Sequence, residues 1–224
     1  MKKRTFSIWL YLSIVIILSW PFQFWYVFKA ETAFDKYCFS SLSMIMVSVA
    51  TVIAGRFVFK DGFANAGWSW GKPIQYIVIL LFALFIWLVP SLVELSFDLH
   101  KPAGKVVAAN VLLMFALRFI ATLLPAFGEE FGWRGYMLPR LAEKHGAKKG
   151  LLIHAFIWWF WHLPVLIGIG LKDAAVSDNQ FLNVAGITLL SIIPSMLHAV
   201  IFAFIWAKTK SLAVVTVYHA AFDE

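Results

Sequence analysis

Charged residues are scarce in this sequence, and their scarcity excludes a soluble fold. Asp, Glu, Lys and Arg make up 14% of the 224 residues, whereas hydrophobic residues make up 62%. An ordinary soluble domain holds about 25% charged residues, because its surface must be solvated. The length fits one domain without a separate soluble module. We therefore expect an all-α, polytopic membrane helix bundle.

Other features are missing as well. The single cysteine, Cys38, excludes an internal disulfide bond. The chain has no glycine-rich phosphate loop, so nothing indicates nucleotide binding, and it has no internal repeat. The net charge of +7 fits basic loops that face a cytoplasm and anionic lipid headgroups. We therefore expect the lipid bilayer as a partner and no nucleic acid.

About seven segments are long and apolar enough to be transmembrane helices, each of which needs roughly 20 residues. The basic N-terminus resembles a signal peptide, but its apolar run is long and has no cleavage site, so we expect a retained first helix. The seventh segment is short, and we expect the native chain to continue past Glu224. The predicted spans are 6–28, 39–59, 74–97, 106–127, 151–170, 183–207 and a segment from about 211.

Lys and Arg residues give the orientation, because they accumulate in cytoplasmic loops. With the N-terminus inside, the inner segments hold thirteen of the 19 Lys and Arg residues and the outer segments hold five. Arg118 lies within a span, where we expect it to pair with a nearby acid or carbonyl. We divide the one membrane domain into helices 1–3 over residues 1–105 and a catalytic core over 106–224. The bacterial plasma membrane is the expected location.

Ionisable residues inside spans are the first candidates for function, because a charge at mid-membrane costs about 2.5–3.5 kcal/mol. His162, His198 and His219 lie roughly 17, 14 and 12 Å from the inner ends of three helices, at about 1.5 Å per residue. Similar depths fit one shared polar cavity that opens to the cytoplasmic side. Glu129 and Glu130 stand where the fourth span meets a loop.

The spacing of these residues favours hydrolytic chemistry. Glu130 and Arg134 are four residues apart and can pair on one helix face, which leaves Glu129 pointing elsewhere. His219 and Asp223 have the same spacing. A carboxylate and an imidazole in a cavity of low dielectric constant can deprotonate a water, and a second imidazole can stabilise an oxyanion. A peptide hydrolase without a Ser or Cys nucleophile needs these groups.

The same residues resemble the motifs of the CPBP family of intramembrane proteases, the CAAX-processing and bacteriocin-processing enzymes related to the type II CAAX prenyl endopeptidase. The resemblance covers residues 106–223, and all three motifs occur in order. Trp158 replaces the usual Phe, and Asp223 replaces the commoner Asn. The motifs are E-E-x-x-x-R at 129–134, F-x-x-x-H at 158–162 and H-x-x-x-N/D at 219–223.

The resemblance implies a role for each residue. Glu129 would be the catalytic acid and base, acting with His162 on a water. His219 and Asp223 would support the oxyanion or bind a metal. The supporting residues would be Glu130, Arg134 and Trp158.

The resemblance leaves the cofactor open. Glu129, His162 and His219 would make a three-ligand zinc set, but the Glu and His chemistry is complete without a metal. We therefore favour a metal-free mechanism and name no certain cofactor.

Structural readings compete with these roles. Glu129, Glu130 and Arg134 could form an ordinary charged helix end, and the histidines could be hydrogen-bond glue between helices. We favour a structural role for His198 and expect His154 at the membrane interface.

The predicted function is an intramembrane endopeptidase that acts on a membrane-embedded or lipidated peptide or protein. The main alternative is a non-catalytic bacteriocin-immunity or partner-binding protein of the same fold. A haem protein would leave the Glu-Glu-Arg cluster unexplained, and a transporter has no inverted repeats in its favour. The sequence does not give the oligomeric state.

Overall fold

The computed structural model describes residues 6–97, 108–172 and 176–223, and this part of the chain is helical without strands. The predicted boundary between residues 105 and 106, the N-terminal lysines and Glu224 lie outside the described residues. Two helices continue into π-helical segments, α2 over Ile53–Val58 and α4 over Phe131–Met137. The helices are α1 (Ile8–Phe28), α2 (Ala33–Val52), α3 (Pro73–Ser96), α4 (Ala108–Glu130), α5 (Leu138–His145), α6 (Ala147–Trp161), α7 (Leu163–Lys172), α8 (Gln180–Leu190), α9 (Ile192–Thr209) and α10 (Leu212–Phe222).

The predicted membrane helix bundle is confirmed. Five helical stretches of the described chain are long and apolar enough to cross a membrane, and α6 with α7 forms a sixth span that is bent by 45°. The predicted segment from about residue 211 is the shorter apolar helix α10. Many large apolar side chains of α3 and α4 are exposed, as expected for surfaces that face lipid.

The bend between α6 and α7 lies at His162, where the sequence predicted one straight span. Pro164 follows two residues later and has no backbone N–H, so it cannot donate to the carbonyl of residue 160 in a continuous helix. His162 ends α6, and its N–H donates to the Trp159 carbonyl at 3.0 Å. The break separates the imidazole from the regular helix, at a point where it can face a cavity.

Two close approaches fix α4 against its neighbours. A Cβ on Gly128 would lie 2.9 Å from the Met44 carbonyl oxygen of α2, so only glycine allows this contact. The Tyr11 hydroxyl of α1 donates to the Gly132 carbonyl at 3.2 Å and lies 2.8 Å from the Thr51 hydroxyl oxygen. Gly132 belongs to the π-helical segment, and such segments are frequent at functional sites. These contacts hold the residues between them, Glu129 and Glu130, against α1 and α2.

The start of α10 is fixed by the loop before α3. The Ser211 side chain accepts from the Val214 N–H at 3.1 Å as an N-cap and donates to the Ser69 carbonyl at 2.6 Å. The Leu212 N–H donates to the carbonyl of Gly67, whose φ of 83° favours glycine. This anchoring sets how far α10 carries His219 into the bundle.

Candidate active site

A cavity of about 270 Å³ lies inside the bundle, and we call it the central cavity. It contains all four residues that the sequence predicted as catalytic. It is also lined by residues of α1 and α2, which the motifs do not include. Besides two tryptophans, its polar lining residues are Gln23, Tyr26, Ser40, Ser43, Glu129, His162, His219 and Asp223.

Glu129 is almost completely buried, with 3% of its surface exposed. Two indole N–H groups hold its carboxylate: Trp133 and Trp158 each donate to Oε2 at 3.2 Å. Both bonds go to one oxygen, so Oε1 remains for a ligand in the cavity. Trp158 stands where the family motif usually has Phe, and a Phe could not donate this bond.

Glu130 is fully buried and does not line the cavity. Its Oε1 accepts from Arg134 Nη1 at 2.7 Å and from His219 Nδ1 at 2.7 Å. The imidazole also reaches Asp223, because Nε2 lies 3.3 Å from Oδ2. Both ring nitrogens of His219 therefore face carboxylate oxygens. The network ties α4 to α10, and the complete burial of Glu130 excludes a solvated helix end.

His162 has a defined tautomer. Its Nδ1 lies 2.8 Å from the Trp158 carbonyl oxygen. A carbonyl oxygen only accepts hydrogen bonds, so Nδ1 must carry the proton of the neutral ring. Nε2 then carries a lone pair and can accept a proton or a hydrogen bond. The orientation follows from the break of the helix at this residue.

His154 of α6 and His198 of α9 do not line the cavity. His198 Nδ1 lies 3.1 Å from the Pro194 carbonyl oxygen, and its ring packs against Phe222 with centroids 4.3 Å apart. The His154 side chain is fully buried inside the bundle, and its expected depth at the membrane interface stays a prediction.

Sequence reasoning missed Gln23. It is 2% exposed and lines the central cavity from α1. The available signal was a lone amide inside an otherwise apolar span, because such groups are costly in a membrane unless they are used. Ser40 and Ser43 of α2 were missed for a different reason, since small hydroxyl side chains are common between membrane helices.

No group of three or more His, Cys, Asp or Glu side chains in residues 6–97, 108–172 and 176–223 is arranged to hold a metal ion. In the predicted zinc set, both ring nitrogens of His219 already face the carboxylates of Glu130 and Asp223. As arranged, these residues do not fit a three-ligand zinc site. The zinc set remains a prediction, and no step below involves a metal.

A second chamber of about 640 Å³ adjoins the central cavity between α2 and α4. The two share Tyr26, Ser40, Met44 and Asp223 as lining residues. The second chamber reaches the start of α2, where it is lined by Ala33 and Lys36. This is the end of the bundle at which α1 turns into α2.

The second chamber bears on the predicted orientation. If the N-terminus lies inside, the turn between α1 and α2 lies outside, and the second chamber leads away from the cytoplasm. The expected N-terminal orientation and the expected cytoplasmic opening therefore conflict at this chamber. Both remain predictions, and one labelling experiment separates them.

The distribution of Lys and Arg predicts the outcome of that experiment. In a Cys38→Ala background, Lys36→Cys should react with a membrane-impermeant maleimide on intact cells. The matched variant Lys144→Cys, at the exposed end of α5, should react only after permeabilisation. The reverse pattern would contradict the orientation and place the second chamber on the cytoplasmic side.

The comparison with family models matches the half of the chain that holds the motifs. The family model of Rce1-like type II CAAX prenyl endopeptidases matches residues 109–223. The CAAX prenyl protease 2 of Methanococcus maripaludis is 29% identical over 86 residues, which cover 35% of this chain and 32% of that protein. The chain thus matches about a third of the length of this curated relative. No solved structure matches the chain. Because the family model includes more than half of the chain and all three motifs, the chain belongs to the Rce1-like type II CAAX prenyl endopeptidase family.

Proposed function

We propose that the protein is an intramembrane endopeptidase that hydrolyses a peptide bond in a lipidated or hydrophobic, membrane-associated substrate. The observation that carries the proposal is that Glu129 and the Nε2 side of His162 line one cavity among apolar helices. A carboxylate and a neutral imidazole in such a place can activate a water between them. The protease family is consistent with this chemistry.

The proposed step uses one water and leaves the protein unchanged. The water oxygen attacks the carbonyl carbon, its proton passes to Glu129, and the carbonyl electrons move to oxygen. His162 Nε2 accepts a hydrogen bond from the second O–H and orients the water. The oxyanion then re-forms the carbonyl, the C–N bond breaks, and the leaving nitrogen takes the proton from Glu129. The products are a carboxylic acid and an amine.

Glu130, Arg134, His219 and Asp223 serve to position the reacting groups in this proposal. Arg134 is buried, and its guanidinium carbon lies 5.0 Å from the Trp158 ring centroid and 4.4 Å from that of Phe202. The Arg134 cation therefore contacts both the Glu130 carboxylate and the rings of Trp158 and Phe202. A buried ion network of this kind costs desolvation energy, so function explains its presence better than stability does.

The alternative of a bacteriocin-immunity protein has no observation in its favour. A protein that only binds a partner needs no buried carboxylate with one oxygen directed into a cavity. The location in a bacterial plasma membrane is also part of the proposal. The peptidase experiments do not depend on this location or on the identity of the natural substrate.

The first prediction concerns Glu129 and His162. Glu129→Gln and His162→Asn should each reduce cleavage by roughly 10²–10⁴-fold, because each removes a proton-transfer or orienting group. The purified full chain is tested in liposomes with a farnesylated peptide ending in Cys-aliphatic-aliphatic-X and with an unmodified hydrophobic peptide. Metal content of the wild type is measured on the same sample.

Matched controls exist on the same chain. Glu143→Gln changes an exposed carboxylate of α5, and His198→Asn changes an imidazole outside the cavity. Both should keep wild-type turnover. Turnover by Glu129→Gln equal to that of Glu143→Gln would refute the assignment of Glu129. No cleavage by any variant, wild type included, would remove the support for an endopeptidase.

The second prediction concerns the indole that replaces the family's Phe. Trp158→Phe keeps an aromatic ring but removes one of the two N–H groups that hold Glu129. A hydrogen bond to a charged group is worth about 1.5–3 kcal/mol, so kcat should fall by at least about tenfold. The matched control is Trp159→Phe, because Trp159 Nε1 donates to Ser191 at 3.0 Å instead. Equal rates for the two variants would show that the bond from Trp158 does not position Glu129.

A further inference from the structure

The proposed hydrolysis needs a hydrogen-bond donor for the oxyanion, and the motif residues that line the central cavity do not offer a free one. Arg134 Nε and Nη2 have no partner, but Arg134 does not line this cavity. The His162 ring donates through Nδ1 to a backbone carbonyl, and its Nε2 carries a lone pair. Both ring nitrogens of His219 face carboxylates. The indole N–H groups of Trp133 and Trp158 are directed to Glu129.

Asp223 also fails to supply an N–H donor for the oxyanion. Asp223 lines the central cavity, and its Oδ2 lies 3.3 Å from His219 Nε2. An ionised Asp only accepts hydrogen bonds. The Asp223 carboxylate therefore supplies no N–H to the wall of the central cavity, and another group must supply it.

Gln23 has the properties of that group. Its side chain is buried and lines the central cavity from α1. Its Oε1 has no hydrogen-bond partner, and its amide nitrogen donates to no residue within the part of the chain that the structure describes. An unpaired amide inside a membrane span is expensive. The cost is explained if a substrate or a water pairs with it.

We propose that Gln23 is a catalytic residue whose amide N–H stabilises the oxyanion of the tetrahedral intermediate. The inference rests on the proposed endopeptidase function. Gln23 lies on α1, outside the segment 109–223 that the family model matches. The active site is then completed by a helix that the three motifs do not include.

Two hydroxyl groups are the competing donors, because the third, that of Ser43, already donates to the Ser40 carbonyl at 2.8 Å. Tyr26 and Ser40 line both the central cavity and the second chamber, so they stand at the junction of the two. Gln23 lines only the central cavity and not the second chamber. Tyr26→Phe is therefore a matched variant, since it removes a donor of the same helix one turn away.

The test measures kcat and KM separately for the full chain in liposomes, with the same farnesylated peptide. Gln23→Met keeps the volume without a hydrogen-bonding group, and kcat should fall by roughly 10²–10³-fold, the effect of removing one oxyanion donor. KM should stay within about threefold, because the oxyanion forms only in the transition state. Gln23→Asn should also lose most of kcat, since a displacement of about 1 Å can cost 10²-fold. Tyr26→Phe should lower kcat much less than Gln23→Met does, and an equal or larger loss would assign the oxyanion donor to Tyr26 instead.

A rescue distinguishes catalysis from packing. Adding Asp223→Asn to Gln23→Met returns an amide donor to the cavity wall, and kcat should recover by at least about tenfold. A packing defect at Gln23 would not respond to a change on α10. The inference fails if Gln23→Met and Gln23→Asn keep wild-type kcat, or if the loss appears in KM alone. If the wild type cleaves the peptide and Glu129→Gln does not, the proposed endopeptidase function stands whatever the Gln23 variants do. If the wild type is inactive, both the proposed function and the role of Gln23 are overturned.

Discussion

The Glu130 carboxylate, enclosed between Arg134 and His219, is the interaction on which the rest of the site depends. It joins α4 to α10, two helices that lie far apart in the sequence, through bonds of 2.7 Å to each partner. This carboxylate is fully buried, so the loss of one partner would leave a buried charge uncompensated, at a cost of about 3–5 kcal/mol. Because Glu129 precedes Glu130 on the same helix, the network also fixes the direction in which Glu129 faces the cavity.

Trp158 and Asp223 differ from the Phe and the commoner Asn of the motifs that the sequence resembles, and both change the chemistry around that network. Trp158 adds a second N–H to the carboxylate of Glu129, whereas Phe would leave it with the bond from Trp133 alone. Asp223 places a carboxylate 3.3 Å from His219 Nε2, whereas Asn would offer a donor. The first change strengthens the hold on the acid and base, and the second removes a donor for the oxyanion. In the proposed mechanism, the Gln23 amide supplies the N–H donor that the Asp223 carboxylate cannot supply.

The sequence predicted the parts of the site that obey helical spacing. Glu130 and Arg134, and His219 and Asp223, are four residues apart, so their contacts followed from the periodicity of a helix. The break at His162 was not predicted, although Pro164 was visible, because an apolar run of sufficient length resembles one straight span. The contribution of Gln23 could not be derived, since no spacing rule connects α1 with the motif helices. The second chamber could not be predicted from the sequence either, because its shape depends on how α2 and α4 pack.

The central claim is that Glu129 and His162 share one water that attacks the peptide bond. The most direct measurement is an experimental structure of the Glu129→Gln variant with an uncleaved peptide bound. The account predicts an ordered water within about 3.2 Å of both His162 Nε2 and the substituted side chain. That water should lie roughly 3–3.5 Å from the scissile carbonyl carbon. A peptide bound with its scissile carbonyl outside the central cavity, or a His162 ring turned away from it, would contradict the account.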